Sequence, residues 1–256
     1  MKKLGHNKDR YRGETVDIAS TLAEITSLAA RTGWNREDLS TVTRGVLPVF
    51  RRLAAGSSRR IYISTGIHGD EPAGPLAVLE LIRQNQWPLD ADVWLLPCLN
   101  PSGFALNSRE NAEGVDLNRD YRHLKSDEVR SHVAWIDRQP GFDLTLCLHE
   151  DWESDGFYLY ELNPDQRPSH AGGMIQAVSA VCPIDLSAEI EGRPARGGII
   201  NPSIDPASRP EWPEAFYLLQ NKTRQSYTLE SPSDFPLAIR VAALAAATRV
   251  ALNAVC

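Results

Sequence analysis

The stretch IYISTGIHGDE, residues 61–71, joins an apolar run to two potential metal ligands. The apolar run predicts a buried strand, and residues 72–81 predict the helix that follows it. His68 then lies at the strand's end and Glu71 in the first helical turn, so both side chains can converge on one point. Catalytic zinc sites often use two histidines and one carboxylate. Alone, the pair also fits a turn histidine and an acidic residue that favours a helix N-terminus.

Composition limits the classes of function. The chain has 256 residues, of which 42% are hydrophobic and 23% charged, as expected of a folded globular protein. Its net charge of -6 argues against nucleic acid or an anionic membrane as the main partner. The N-terminal residues lack the apolar core of a signal peptide, and no run has the length of a membrane helix. We therefore expect a cytoplasmic protein, whose oligomeric state cannot be read from the sequence.

The four cysteines are far apart in the chain. They are Cys98, Cys147, Cys182 and Cys256, and they show no paired metal-binding spacing. Two lie in apolar, strand-like runs. This pattern predicts buried, reduced thiols and no cysteine metal site.

Strand-like and helix-like segments alternate along most of the chain. This alternation predicts one α/β domain over residues 1–256 with a largely parallel sheet. Pro48 predicts that residues 46–50 form an edge strand, because proline cannot donate to a strand ladder. The Pro- and Gly-rich residues 191–214 suggest a long ordered loop. The other predicted elements are strands at 61–67, 92–99, 142–148, 157–162 and 225–229, and helices at 16–32, 72–85, 126–138, 173–181 and 236–255.

A second histidine follows a central strand. The apolar residues 142–148 end at His149, as the first strand ends at His68. In open α/β sheets, ligands collect at the carboxyl ends of the strands, which makes His149 the natural third metal ligand. The acidic run at residues 150–153 has three interpretations: a solvated loop with one carboxylate on the ligand histidine, a reader of a basic substrate group, or a second metal site at Glu150 and Asp151.

Further polar residues suit hydrolysis near a metal. Arg109 and the Asn118-Arg119 pair offer hydrogen-bond donors. Two arginines near a metal suit a reaction with one fixed substrate carboxylate and one developing oxyanion, and arginine can bind a carboxylate through two parallel donors. Glu230 follows an apolar strand and precedes a turn. A carboxylate there can act as general base on metal-bound water. Taken singly, Asn118-Arg119 also fits a surface turn and Glu230 an exposed strand end.

Taken in order, these motifs resemble the M14 family of zinc carboxypeptidases over roughly residues 61–235. The resemblance implies a three-layer α/β/α sandwich around a mixed, mostly parallel eight-stranded sheet. It implies zinc, one ion per chain, at His68, Glu71 and His149. It implies that Asn118 and Arg119 bind the substrate carboxylate, that Arg109 stabilises the oxyanion and that Glu230 is the general base. The motifs that carry it are His-x-x-Glu at 68–71, Asn-Pro-x-Gly at 100–103, Arg-x-Asn at 109–111, Gly-Val-Asp-Leu-Asn-Arg at 114–119, His149 and Leu-Glu-x-Pro-Ser at 229–233.

The expected function is therefore that of a metallocarboxypeptidase, similar to compact bacterial members that trim murein peptides. It would hydrolyse a C-terminal peptide or amide bond next to a free carboxylate, with Glu230 acting on metal-activated water. The first alternative is a zinc-dependent N-acyl amino acid deacylase, similar to succinylglutamate desuccinylase and aspartoacylase. Those relatives usually carry a β-rich domain after the catalytic glutamate, whereas 26 residues follow Glu230 here. The second alternative is a non-catalytic zinc- or peptide-binding module.

The sequence leaves substrate specificity open. Arg193 and Arg196 could read an acidic substrate, or they could be ordinary surface arginines. Trp212 and Phe216 could line an aromatic pocket or pack a loop onto the core. Four tyrosines compete for the position over the substrate that the family's pancreatic members fill: Tyr217, which is favoured by its order in the chain, Tyr158, Tyr160 and Tyr227.

Overall fold

A computed structural model describes residues 2–41 and 45–253, which form ten strands and seven α-helices. The strands are β1 (Asn35–Thr41), β2 (Gly45–Arg52), β3 (Arg59–Thr65), β4 (Ala91–Leu96), β5 (Leu144–Asp151), β6 (Tyr158–Leu162), β7 (Glu189–Ile190), β8 (Arg193–Arg196), β9 (Ile199–Ile200) and β10 (Ser226–Pro232). The helices are α1 (Ile18–Arg31), α2 (Ala73–Gln84), α3 (Pro101–Leu106), α4 (Asp127–Ile136), α5 (Ala171–Ser179), α6 (Glu214–Asn221) and α7 (Leu237–Asn253). Within these ranges no helix combines the length and apolarity needed to cross a membrane.

All ten strands belong to one mixed sheet, in the order β1-β2-β4-β3-β5-β10-β6-β9-β8-β7. The four central strands, β4, β3, β5 and β10, run parallel, whereas antiparallel pairs dominate both flanks. The sheet has two strands more than the eight expected. Part of the difference lies in residues 191–214, which the sequence suggested as a loop but which contribute the short strands β8 and β9. They extend the sheet beyond β6, since β9 pairs with Leu159 and Tyr160.

Helices cover both faces of the sheet, as the predicted three-layer sandwich requires. The side chains of β5 reach the two faces of the sheet alternately, because successive residues of a strand point to opposite sides. Leu144, Leu146 and Leu148 pack into the core under α1, α2, α5 and α7. Cys147 packs into the other core, which includes residues of α4 and α6. His149 therefore lies on the α4–α6 face and Glu150 on the α2–α7 face.

The position of residues 46–50 in the sheet differs from the edge position predicted for them. Residues 46–50 belong to β2, which is not an edge strand, because β1 pairs along its whole length and places Asp38 opposite Pro48. On its other side, β2 pairs with β4 only at residues 50–52. The part of β2 that carries Pro48 thus has one partner strand in this pairing, which tolerates a residue without a backbone N–H. Only Leu39 and Thr41 of β1 are buried, so its sequence lacks the apolar pattern of a strand.

Other sequence expectations have clear outcomes. Cys98, Cys147 and Cys182 are buried and free, as predicted, and Cys256 lies outside the described residues. Helix α6 was not predicted, because it spans only eight residues after a Pro-rich segment. The predicted final helix at 236–255 corresponds to α7, and its last two residues lie outside the described range.

A buried ion pair joins the closing helix to the central strand. Arg240 of α7 donates through Nη1 to Oε2 of Glu150 at 2.6 Å, and both side chains are fully shielded from solvent. Arg240 also donates to the hydroxyl of Tyr11 and to Glu14 in the N-terminal segment. The other oxygen of Glu150 accepts from the backbone N–H of Ala73 at the start of α2. One carboxylate thus holds β5, α2 and α7 together.

Removal of one member of this pair should strongly destabilise the fold. Arg240→Met alone leaves the buried carboxyl group of Glu150 without its cation, and Glu150→Gln alone leaves Arg240 with the half-exposed Glu14 as its remaining carboxylate partner. Each should lower the free energy of unfolding, by up to about 3–5 kcal/mol. The double variant Glu150→Gln/Arg240→Met should lose much less than the sum of the single losses. Urea denaturation followed by circular dichroism measures all of these. Additive losses would contradict a direct pairing of the two charges.

Candidate active site

The loop from β3 to α2 brings His68 and Glu71 to the edge of the sheet. A close approach between two backbones fixes this loop, because a Cβ atom on Gly69 would lie 1.9 Å from the carbonyl carbon of Gly103. Asn100 caps α3 by accepting from the N–H of Gly103, and its side-chain amide donates to the carbonyl of Ile67 at 3.1 Å. The Asn-Pro-x-Gly motif therefore supports the residue next to His68.

His68, Glu71 and His149 form one buried cluster. Nδ1 of His68 lies 2.5 Å from Oε1 of Glu71, and Nδ1 of His149 lies 2.9 Å from Oε2 of the same carboxylate. Their potential ligand atoms all lie within 4.8 Å of one another. Burial acts to raise the pKa of Glu71, but the two histidines outweigh it and hold this pKa well below its usual range. Two imidazole nitrogens and one carboxylate are the donor set of many catalytic zinc sites, so these residues fit a zinc ion.

Asp116 orients the cluster from behind, a role that the sequence analysis did not assign. Its Oδ1 lies 3.3 Å from Nε2 of His68, and its Oδ2 accepts from Nε of Arg109 at 2.9 Å. Against the effect of burial, His68 and Arg109 lower the pKa of Asp116 far enough to keep it ionised. An anionic partner on the far nitrogen fixes the tautomer and ring orientation of a metal-binding histidine. The sequence signal that could have indicated this role is Asp116 itself, the third residue of the Gly-Val-Asp-Leu-Asn-Arg motif.

Glu150, the first candidate for a second metal ligand, is occupied elsewhere. Strand β5 continues through His149 to Asp151, so Glu150 points to the opposite face from His149 and contacts Ala73, Ser233 and Arg240. Asp151 accepts from the backbone N–H of Glu153 and from the hydroxyl of Tyr158. Among the described residues, His68, Glu71 and His149 are the single group found that could hold a metal ion.

Glu230 lies beside the cluster on the neighbouring strand. In the parallel pairing of β5 with β10, Glu230 is directly opposite His149, and both belong to the α4–α6 face. Glu230 is half-buried. Burial raises the pKa of Glu230 well above its usual range, and Glu71 and Asp151 act in the same direction, whereas His149 opposes them. The structure thus brings this carboxyl group to the cluster, where it can exchange a proton.

Arg109 reaches the same cluster from the loop after α3. Its Nη1 lies 3.7 Å from Oε1 of Glu71, while its Nε is held by Asp116. The side chain is 38% exposed, so part of the guanidinium faces open space. Because one edge is fixed by Asp116, the remaining N–H groups are oriented and can donate to a negative oxygen near the cluster.

Asn118 and Arg119 form a second donor group. The side-chain oxygen of Asn118 accepts from the backbone N–H of Glu214 at 2.9 Å, which leaves its NH₂ group as a donor for a ligand. The carboxylate of Glu214 is itself fixed in the core by the hydroxyls of Tyr62 and Ser64. Nη1 of Arg119 donates to the carbonyl of Asn118, and its side chain is 46% exposed. The start of α6 thereby positions Asn118.

One cavity of about 620 Å³ joins these groups. All seven residues singled out from the sequence line it: His68, Glu71, Arg109, Asn118, Arg119, His149 and Glu230. Of the four competing tyrosines, Tyr158 and Tyr160 also line the cavity. Tyr217 instead donates to Asp137, and Tyr227 is buried with its hydroxyl on Glu161. The two candidate tyrosines that line the cavity thus both come from strand β6.

Of the residues considered for substrate specificity, some line the cavity and others do not. Arg193 and Phe216 line the cavity, whereas Arg196 and Trp212 do not. Arg209, which no sequence signal indicated, also lines it, and its guanidinium lies 4.8 Å from the ring centroid of Phe216. Aromatic and cationic side chains therefore meet in one part of the cavity wall.

Comparison with solved structures gives close matches over nearly the full chain. A structure from Shewanella amazonensis SB2B, named provisionally as a metallopeptidase, has a TM-score of 0.80 and 25% identity, and the match covers 93% of this chain and 92% of that one. A provisionally named metallopeptidase from Shewanella baltica OS155 gives the same score and identity, with 97% of both chains covered. A metallo-carboxypeptidase from Burkholderia cenocepacia is 17% identical with a TM-score of 0.69, covers 93% of this chain and 69% of its own, and supports the fold alone.

Sequence comparisons agree with the fold. Carboxypeptidase SOL1 of Arabidopsis thaliana is 31% identical in an alignment of 104 residues that covers 32% of this chain and 21% of that protein. The chain thus matches about a fifth of the length of this curated relative. The family model for the succinylglutamate desuccinylase/aspartoacylase catalytic domain matches residues 57–184, half of the chain. That range contains His68, Glu71 and His149. The chain therefore belongs to the succinylglutamate desuccinylase/aspartoacylase catalytic domain family, and its fold and the order of its motifs are those of M14-like carboxypeptidases.

Proposed function

We propose that this protein is a zinc-dependent metallocarboxypeptidase that removes the C-terminal residue of a small peptide. One observation carries the proposal: a buried His-Glu-His group, the Glu230 carboxyl group and the donors Arg109, Asn118 and Arg119 line one cavity. The likeness to two structures provisionally named as metallopeptidases, over most of the chain, supports it.

His68, Glu71 and His149 would hold the zinc ion. When bound, the ion acts as a Lewis acid that polarises the substrate carbonyl and lowers the pKa of a nearby water molecule to about 7. Asp116 keeps Nε2 of His68 engaged, so that Nδ1 stays directed at Glu71 and the ligand group keeps its arrangement.

Glu230 moves the proton in this proposal. Its carboxylate takes a proton from the attacking water and passes it to the leaving amine, which needs a group that can hold a proton near neutral pH. The burial that raises the pKa of Glu230 suits this task, since a carboxyl group at its ordinary pKa is a weak base at pH 7. The backbone pairing of Glu230 with His149 places this carboxyl group next to the proposed zinc ligands.

In this proposal each of the two arginines, Arg109 and Arg119, binds a different negatively charged group of the substrate. Arg109 donates to the oxygen on which charge develops, and one such donor is commonly worth about 3 kcal/mol in the transition state. Asn118 and Arg119 hold the substrate's C-terminal carboxylate and place the scissile bond beside Glu230. Asp116 and Glu214 support these donors, since each fixes one of them by a hydrogen bond of 2.9 Å.

A second candidate is an N-acyl amino acid deacylase. The match of residues 57–184 to the succinylglutamate desuccinylase/aspartoacylase catalytic domain favours it. Both reactions hydrolyse an amide next to a carboxylate and would use the same residues. A mass-spectrometric screen of free-carboxylate peptides, murein peptides and N-acyl amino acids separates them. Loss of a C-terminal residue supports the peptidase, and hydrolysis of N-acyl amino acids alone supports the deacylase.

The metal site has its own test. We expect one zinc ion per chain by elemental analysis, and His149→Ala should reduce this below one because it removes a ligand. Asp116→Asn should keep the ion but weaken its affinity by roughly 10- to 100-fold in competition with a chelator. His123→Ala, at an exposed position outside the cavity, is the matched control. Full zinc content in His149→Ala would place the third ligand elsewhere.

Glu230→Gln should separate binding from chemistry. This variant keeps the shape of the side chain but cannot accept the proton, so turnover should fall by about 10²–10⁴-fold while zinc content stays at the wild-type value. The exposed Glu189→Gln, outside the cavity, should retain wild-type kcat. Turnover within a few-fold of wild type in Glu230→Gln would remove this residue from the mechanism.

Substrate carboxylate recognition is tested by paired changes in enzyme and substrate. Amidation of the peptide C-terminus should lower the kcat/KM of the wild type by roughly 100-fold. The Arg119→Met variant should show a similar loss of roughly 100-fold on the peptide with a free carboxylate. In both cases a charge-assisted hydrogen bond is removed. In Arg119→Met, amidation should have little further effect. Arg60→Met, exposed at the start of β3, serves as control. Equal wild-type rates on both substrates would indicate a different amidase chemistry.

A further inference from the structure

A buried network of hydrogen bonds lies behind the residues that would bind the substrate carboxylate. The hydroxyl of Tyr121 lies 2.7 Å from Nδ1 of His132, and Nε2 of the same ring lies 2.8 Å from the hydroxyl of Tyr62. The Tyr62 hydroxyl lies 3.0 Å from Oε1 of Glu214, whose other carboxyl oxygen accepts from Ser64 at 2.9 Å. All five side chains are at most 2% exposed, and none of them lines the cavity.

The two ends of this network meet at the loop that carries Asn118. The backbone N–H of Glu214 donates to Oδ1 of Asn118 at 2.9 Å. At the other end, the backbone N–H of Tyr121 donates to the carbonyl of Trp212, two residues before Glu214. The loop before α4 and the start of α6 are thus joined by two direct hydrogen bonds and, through the core, by the buried network.

The hydrogen positions in the network follow from a count of its donors. Burial lowers the pKa of His132 to about 3, so the ring is neutral and has one N–H group. A hydrogen on Nδ1 would point at Tyr121, whose own hydroxyl would then have no acceptor among the described residues. With the hydrogen on Nε2, Tyr121 donates to His132, His132 donates to Tyr62, and Tyr62 donates to Glu214. Because buried donors are rarely left unpaired, the hydrogen belongs on Nε2.

This direction of hydrogen bonding suits a carboxylate at Glu214. Both of its carboxyl oxygens accept from hydroxyls, and its place in the first turn of α6 favours negative charge. Burial raises the pKa of Glu214, and the hydrogen bonds from Ser64 and Tyr62 oppose that rise. The Tyr62 hydroxyl therefore stabilises the charged carboxyl group in its present position, and with it the first turn of α6.

The orientation of the Asn118 amide depends on this arrangement. Because the N–H of Glu214 occupies Oδ1, the NH₂ group of Asn118 is the part left to face a ligand. A reversed amide would turn its oxygen towards the substrate carboxylate, and two acceptors repel each other. We propose that Tyr62, directed by His132, is a positioning residue that acts through Glu214 to keep the NH₂ group of Asn118 towards the substrate carboxylate. This inference rests on the proposed function, in which Asn118 binds that carboxylate.

The test uses two tyrosine variants that each lose a buried hydroxyl. Tyr62→Phe should raise KM for a peptide with a free C-terminal carboxylate by about tenfold and keep kcat within about twofold, because it weakens substrate binding alone. Tyr227→Phe is the matched control, since Tyr227 donates to the buried Glu161 at 2.9 Å and lies outside the network. It should keep the wild-type KM. Thermal unfolding measures the stability that each variant loses, and an equal rise in KM in both would overturn the proposal.

A double-variant comparison shows whether the effect passes through Asn118. In an Asn118→Ala background, Tyr62→Phe should raise KM no further, because the amide that it positions is already absent. A further rise of about tenfold in that background would exclude the route through Asn118.

The direction of the hydrogen bonds has a spectroscopic test that needs no substrate. Nitrogen-15 NMR of histidine-labelled protein should show the His132 hydrogen on Nε2, and His132→Gln assigns the signal by its loss. A hydrogen on Nδ1 would reverse the network and overturn the proposed role of Tyr62.

Failure of the proposed function gives a different result from failure of the positioning role. If N-acyl amino acids are hydrolysed and no peptide loses its C-terminal residue, the carboxypeptidase proposal falls, and the same KM comparison applies to the N-acyl amino acid. Calorimetric titration of Glu230→Gln with either ligand gives a readout independent of turnover. Added Tyr62→Phe should weaken binding by about tenfold and added Tyr227→Phe should not. Equal affinities in the two double variants would overturn the positioning role, whichever reaction is catalysed.

Discussion

The registration of β5 against β3 and β10 is the constraint on which the site depends. Leu148 pairs with Thr65 on one side and Leu229 on the other, so the next residues, His149 and Glu230, emerge opposite each other beside the loop that carries His68 and Glu71. A slip of one residue would turn each side chain to the face covered by α2 and α7. The buried leucines of β5 prevent this, because the slip would expose them to the site and bury polar groups in the core.

Around this constraint, each buried charge at the ligand group has an opposite charge or donor beside it. Glu71 lies between two histidines, and Asp116 between His68 and Arg109. On the other face, Glu150 is paired with Arg240. Burial of charge is costly unless it is compensated, so these pairs also fix the geometry of the ligand group.

The fold class and the seven candidate site residues could be predicted from local sequence, because their signals are contiguous. An apolar strand that ends in His, or a short motif such as Gly-Val-Asp-Leu-Asn-Arg, is legible without knowledge of distant contacts. The structure brings those residues to one cavity, while their catalytic roles stay predictions. Elements whose stability comes from tertiary contacts were missed: β1 is mostly charged and exposed, and β8, β9 and α6 are short segments in a Pro-rich region.

The sequence by itself determined the candidate ligand types, their order, the strand that precedes His68 and the strands that carry His149 and Glu230, since apolar periodicity encodes strands directly. Only the tertiary structure decided which neighbours of these residues share the site. Glu150 follows His149 immediately but points away, because alternate residues of a strand face opposite sides, and the sequence did not show that β5 continues to Asp151. Arg209 lies far along the chain from Arg119, yet the two line one cavity, because the Pro-rich segment between β9 and α6 returns to the cavity wall. Such contacts depend on chain reversal and packing, which local patterns do not encode.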